Sequence, residues 1–107
     1  MDERGRDDLR PVEHDLVGQW LDTGNRIVGD GVCERIEWLV AHRLRRVSST
    51  AHSDAALYRD PSDGRLWELT HPYPEWPRGG PPRLTAITRE EAVKRYGGLD
   101  DEPRVAE

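Results

Sequence analysis

Hydrophobic positions along this chain fall in short alternating runs, interrupted by one stretch with helical spacing. Leu16-Val17-Gly18-Gln19-Trp20-Leu21 alternates loosely and is followed by the turn formers Asp22-Thr23-Gly24-Asn25 and then Arg26-Ile27-Val28, which predicts strand, turn and short strand. Asp30 stands where a helix N-cap is wanted. Beyond it Val32, Ile36, Leu39 and Val40 form one helical stripe, predicting a helix over about 31–43. Trp38 projects away from that stripe and either packs under a second element or stands exposed. Leu44 to Ser49 reads as another strand, and Ser48 to Asp54 is small and polar enough to be a loop.

The 55–71 segment is more specific. Two short runs flank Asp60-Pro61-Ser62-Asp63-Gly64, where Pro61 presets the φ of a type I turn and Gly64 takes the positive φ that closes it, so a β-hairpin is predicted. With Asp60 facing Arg65, the register sets Arg59 against Leu66, Tyr58 against Trp67, Leu57 against Glu68 and Ala56 against Leu69. Ala56, Tyr58, Trp67 and Leu69 then share the core face, ended by an Asp60–Arg65 pair. The opposite face mixes Leu57 and Leu66 with Arg59, Glu68 and Thr70; it is amphipathic, either solvated or covered by a partner.

After the hairpin, Pro72, Pro74, Pro77, Pro81 and Pro82 with Gly79 and Gly80 exclude a helix or a central strand, leaving an irregular loop that is ordered if Tyr73 or Trp76 anchors it. Arg83 to Ile87 reads as a strand. Thr88 and Glu91 match a capping box for a helix whose Ala92, Val93 and Tyr96 face inward and which stops at Gly97-Gly98. The sum is an α+β domain: a small antiparallel sheet of about five strands, a central helix over about 31–43 and a short C-terminal helix over about 89–96.

Composition narrows the function more than the fold. At 107 residues with 35% charged and 35% hydrophobic positions, the chain has room for one modest core, and with no Phe its four Trp and three Tyr supply the aromatic bulk. The net charge of −5 comes from the ends: residues 1–8 sum to −2, residues 98–107 to −3, and the body is neutral. A charge-based decoy of nucleic acid therefore finds no support. The organisation expected is an acidic tail over 1–8, one domain over 9–96 and an acidic tail over 97–107. An acidic start, no membrane-spanning apolar run and a single cysteine, Cys33, fit a cytoplasmic protein.

Candidate chemistry is sparse. His14, His42, His52 and His71 have no partner at metal-ligand spacing, and Cys33 reads as a small core residue, so neither metal nor cofactor is expected. Asp63, Glu68, His71 and Glu75 lie close in sequence, but Glu68 and His71 should point to opposite faces, and turn former and solvated face are the plainer roles. Gly79-Gly80-Pro81-Pro82 lacks the Lys and Ser/Thr of a phosphate loop and reads as structural. The Arg43, Arg45, Arg46 cluster comes without the motifs of a nucleic-acid reader. Trp38 and Trp76 are candidate binding anchors.

Taken in order, Leu9-Arg10-Pro11, Glu13, Leu16, Gly18 and Trp20, then Arg35-Ile36-Glu37-Trp38-Leu39, Leu57-Tyr58, Asp60-Pro61, Asp63-Gly64-Arg65, Trp67-Glu68, Tyr73-Pro74 and Gly79-Gly80-Pro81-Pro82 resemble the immunity protein 27 family over about residues 9–96. The resemblance implies a non-enzymatic bacterial protein that binds a cognate polymorphic toxin domain and neutralises it by steric occlusion. Leu57, Arg59, Leu66, Glu68, Trp38, Trp76 and Arg78 are the expected contact residues. Asp60, Pro61, Asp63, Gly64, Arg65, Tyr58, Trp67, Gly79, Gly80, Pro81 and Pro82 are expected to hold the shape. Two other readings stay open, a scaffold or regulatory module without a toxin and a small enzyme using His71 with Asp or Glu partners.

Overall fold

The computed structural model describes residues 8–49 and 55–97. The expected tails, beyond Asp8 at one end and Gly97 at the other, and the loop expected up to Asp54, from Thr50 onward, lie outside the described residues.

Among the described residues seven strands and two α-helices follow in the order β1 (Asp15–Val17), β2 (Trp20–Asp22), β3 (Ile27–Gly29), α1 (Gly31–His42), β4 (Arg45–Ser49), β5 (Ala56–Arg59), β6 (Leu66–Thr70), β7 (Arg83–Ile87) and α2 (Arg89–Tyr96), with one 3-10 turn over Pro77–Gly79 between β6 and β7. Five strands form an antiparallel sheet in the order β1-β7-β6-β5-β4, and β2 and β3 pair separately as a two-stranded ribbon. The fold is α+β, as expected.

The hairpin keeps its predicted register, Ala56 opposite Leu69, Leu57 opposite Glu68, Tyr58 opposite Trp67 and Arg59 opposite Leu66. Gly64 sits at φ +79° and donates to the Asp60 carbonyl at 2.7 Å, closing the turn. The expected Asp60–Arg65 ion pair is replaced. Asp60 accepts from both the backbone N–H and the hydroxyl of Ser62, while Arg65 turns to Asp63 at 2.7 Å. A carboxylate at the first turn position satisfies the N–H two residues on more cheaply than it reaches across the ribbon.

The run expected as one strand over 16–21 is cut in two at Gly18. Its N–H bonds the Pro82 carbonyl at 2.9 Å, and a Cβ there would come within 2.6 Å of Cys33 Sγ and 2.7 Å of the Pro82 oxygen. This close approach lets β1 stay in the main sheet while β2 departs to pair with β3.

Helix α1 begins where expected, with Asp30 accepting from the Cys33 N–H at 2.9 Å. It lays Ile36 and Leu39 against Ala56, Tyr58, Trp67, Leu16 and Leu84 to form the main core. Trp67 is fully buried, with its indole N–H unpaired and the Arg65 guanidinium 4.9 Å from its ring centre.

Helix α2 opens on the predicted capping box, Thr88 and Glu91 satisfying each other's backbone N–H. Ala92 is fully buried, but Val93 is 36% exposed, correcting the expectation that it faces inward. Ala92 and Tyr96, one turn apart, make the contact, and they cover the opposite sheet face with Val47, Leu57, Leu66 and Ile87 as a second small core. The sheet is thus covered on both faces.

Candidate interaction surface

The 71–82 segment carries two exposed aromatic rings, Tyr73 and Trp76, on a tightly turned loop. Arg78, Gly79 and Gly80 all take positive φ, +59°, +82° and +83°, which reverses the chain after Pro77. Gly80 is obligatory, since a Cβ would lie 2.2 Å from the Tyr73 carbonyl oxygen. Arg78 is the one non-glycine residue at positive φ among the described residues, a conformation costing of order 1 kcal/mol.

Two long-range hydrogen bonds clamp this loop to the β2–β3 ribbon. The indole of Trp20 donates to the Pro77 carbonyl at 3.0 Å, and Arg78 Nη2 donates to the Ile27 carbonyl at 2.8 Å. The loop is therefore ordered, but its anchor is Trp20, 57 positions before the Pro77 whose carbonyl it bonds. Tyr73 and Trp76 do something else: their rings stack on each other at 4.3 Å and 12°, and they remain 47% and 42% exposed.

Beside this stack runs a groove of about 340 Å³ between α1 and the loop. Trp20, Ile36, Val40, Leu69 and Pro82 give it apolar walls, and Glu37, His71 and Arg78 supply its charged or titratable groups. The side chains of Glu37 and His71 make no hydrogen bond or ion pair among the described residues. Arg78 spends a single N–H on Ile27.

The hairpin's second face is a correction. Leu57 is fully buried and Leu66 is 4% exposed, both under α2, so the face expected to be solvated or covered by a partner is covered by the chain itself. Glu68 accepts from Arg95 Nη1 and from the Tyr96 hydroxyl at 2.7 Å. Burial first, and the Glu68 contact second, push the Tyr96 hydroxyl well above the usual tyrosine range. Arg59 is half-buried and donates to the Gly64 carbonyl. The signal that could have found this closure is Ala92 with Tyr96 one turn on, a small and an aromatic residue able to cap two leucines.

Trp38 is half-buried, with the Arg43 guanidinium 4.7 Å from its ring centre and His42 alongside. It belongs to the C-terminal end of α1, whereas Trp76 and Arg78 belong to the loop. Asp63, Glu68, His71 and Glu75 do not assemble: Asp63 is in the hairpin turn, Glu68 under α2 and Glu75 exposed on the loop, so His71 shares its groove with Glu37 instead. Cys33 is buried and donates to the Gln19 carbonyl; burial pushes its thiol up, which disfavours the thiolate. Among the described residues no His, Cys, Asp or Glu cluster could hold a metal ion, and no helix is long and apolar enough to cross a membrane.

Many of the sequence pieces with a specific spacing turn out to be one scaffold. Glu13 accepts a forked pair of hydrogen bonds from Arg35, both at 2.7 Å, and one from the Arg10 N–H, while Arg65 reaches the Glu13 carbonyl. The Arg35 fork holds the Glu13 carboxyl far down, at about 2. Asp15 is similarly held low by the Arg83 fork, with Thr85 adding a third bond.

No curated protein and no solved structure matches this chain. The family model described as immunity protein 27 matches residues 22–88, which takes in α1, the hairpin, the clamped loop and β7. With well over half its length in that match, the chain belongs to the immunity protein 27 family.

Proposed function

We propose that this chain is an immunity protein that binds the toxin domain of a polymorphic toxin in the cytoplasm of the producing bacterium and neutralises it by occlusion, as a surface and without chemistry of its own. Family membership supports the immunity role. The observation that carries the binding mode is the Tyr73–Trp76 stack, two large aromatic rings left nearly half exposed on a loop that hydrogen bonds and obligatory glycine geometry hold in place. Exposed aromatics on a rigid support bind at low entropic cost, since few rotamers are lost on contact. Residues 9–96 act as the binding domain in this reading.

Co-expression tests it. The toxin domain encoded beside this chain should arrest growth when produced alone, and the full chain should restore growth and co-purify with it. Failure of both would remove the proposal and favour a scaffold or regulatory role without a toxin.

A further inference from the structure

Among the described residues, opposed charges are joined at several places. Arg35 holds Glu13, Arg83 holds Asp15, Arg65 holds Asp63 and Arg95 holds Glu68. The groove between α1 and the loop departs from that habit. Glu37 on its helical side and Arg78 on its loop side border the same apolar trough without pairing, and His71 lies in it with no partner among the described residues.

The placement of Arg78 strengthens the point. Glycine would be the relaxed residue at φ +59°, as it is at the next two positions, yet a long cation occupies the site with most of its N–H groups unspent. The walls beneath, Trp20, Ile36, Val40, Leu69 and Pro82, enclose about 340 Å³, room for one large side chain but little for a folded element.

We infer that this groove is the socket for a single bulky apolar side chain on a loop of the toxin domain, flanked by an acidic residue that meets Arg78 and a basic one that meets Glu37. The inference rests on the toxin-binding reading and gives it an address and a polarity. The apolar side chain supplies the desolvated centre. The two charged walls fix the direction in which the loop crosses, because the reversed direction would set like charges against each other.

The test uses the full chain and the purified toxin domain encoded beside it. Glu37→Arg changes an exposed, unpaired side chain and should melt close to the parent, whereas Arg78→Gly relaxes the backbone but removes the bond to the Ile27 carbonyl along with the cation. Amide exchange at Trp76, Gly79 and Gly80, which should stay close to the parent's because the Trp20–Pro77 bond and the loop's own bonds remain, separates loss of the charge from loss of the loop. Each should weaken binding of the toxin domain by at least about tenfold, while Glu34→Arg, the same charge change on the same helix outside the groove, should alter it by less than about twofold. Parent-like binding by both groove variants would overturn the socket and leave toxin binding standing. So would a dimer of the chain alone that Glu37→Arg dissociates, which would assign the groove to a second copy. No binding by the parent chain would overturn the toxin-binding reading, and the socket with it.

Discussion

Arg65, in the closing arm of the hairpin, donates to the backbone carbonyls of Glu13 at 2.6 Å and Arg10 at 3.0 Å, 52 and 55 residues earlier in the chain. It also bonds Asp63 and lies over the Trp67 ring. One guanidinium thus ties the N-terminal segment, the hairpin turn and the main core together, using a fork geometry that an ammonium cannot reproduce. Arg65→Lys should lower stability by about 1.5–3 kcal/mol, read from urea unfolding, with the loss spread over several partly exposed bonds.

Glu13 gives the scaffold a pH signature. Its carboxyl is held at about 2, against an ordinary 4.5, by the Arg35 fork. A depressed folded value means the stabilisation is complete above about 4.5 and fades as pH falls toward 2. The full shift would correspond to roughly 3 kcal/mol. Glu13 and Arg35 keep 23% and 13% of their side-chain surface, so solvent screening reduces this to about 1–2 kcal/mol. Unfolding followed against pH should show Glu13→Gln less stable than the parent at neutral pH and flatter between pH 4.5 and 2.

Gly80→Ala tests the loop. The added Cβ would fall 2.2 Å from the Tyr73 carbonyl oxygen and sit at φ +83°, so backbone must move. A loss of about 1–3 kcal/mol is expected. Amide exchange should accelerate at Trp76, Gly79 and Gly80, whose N–H groups close the loop, while the hairpin amides keep their protection.

The aromatic stack separates binding from folding. Tyr73 and Trp76 contribute to each other but to neither core, so replacing both by Ala should cost about 1 kcal/mol of stability or less. Binding of the toxin domain should weaken by about 2 kcal/mol or more, measured by titration calorimetry.

These residues also mark how far the sequence could be read. The hairpin register, the Asp30 cap and the Thr88 capping box were legible because each is a local contest decided within a few residues. The division at Gly18 was not, because it depends on Cys33 and on Pro82, far along the chain. Nor was the closure of the Leu57–Leu66 face: one strand face carrying two leucines beside two charges is equally consistent with solvent, partner or a covering helix until α2 is placed. The groove was the least legible feature, since Trp20, Gly29, Glu37, Leu69 and Arg78 come from five separate segments that only the folded chain brings together.

Whether this protein works as a complementary surface is decided by titrating it against the toxin domain encoded beside it while following toxin activity and the mass of both chains. Inhibition should be complete at one chain per toxin domain, both masses should stay unchanged, and toxin activity should return when the complex is separated. Inactivation by a small fraction of an equivalent, with a lasting change of mass in the toxin, would contradict a complementary surface.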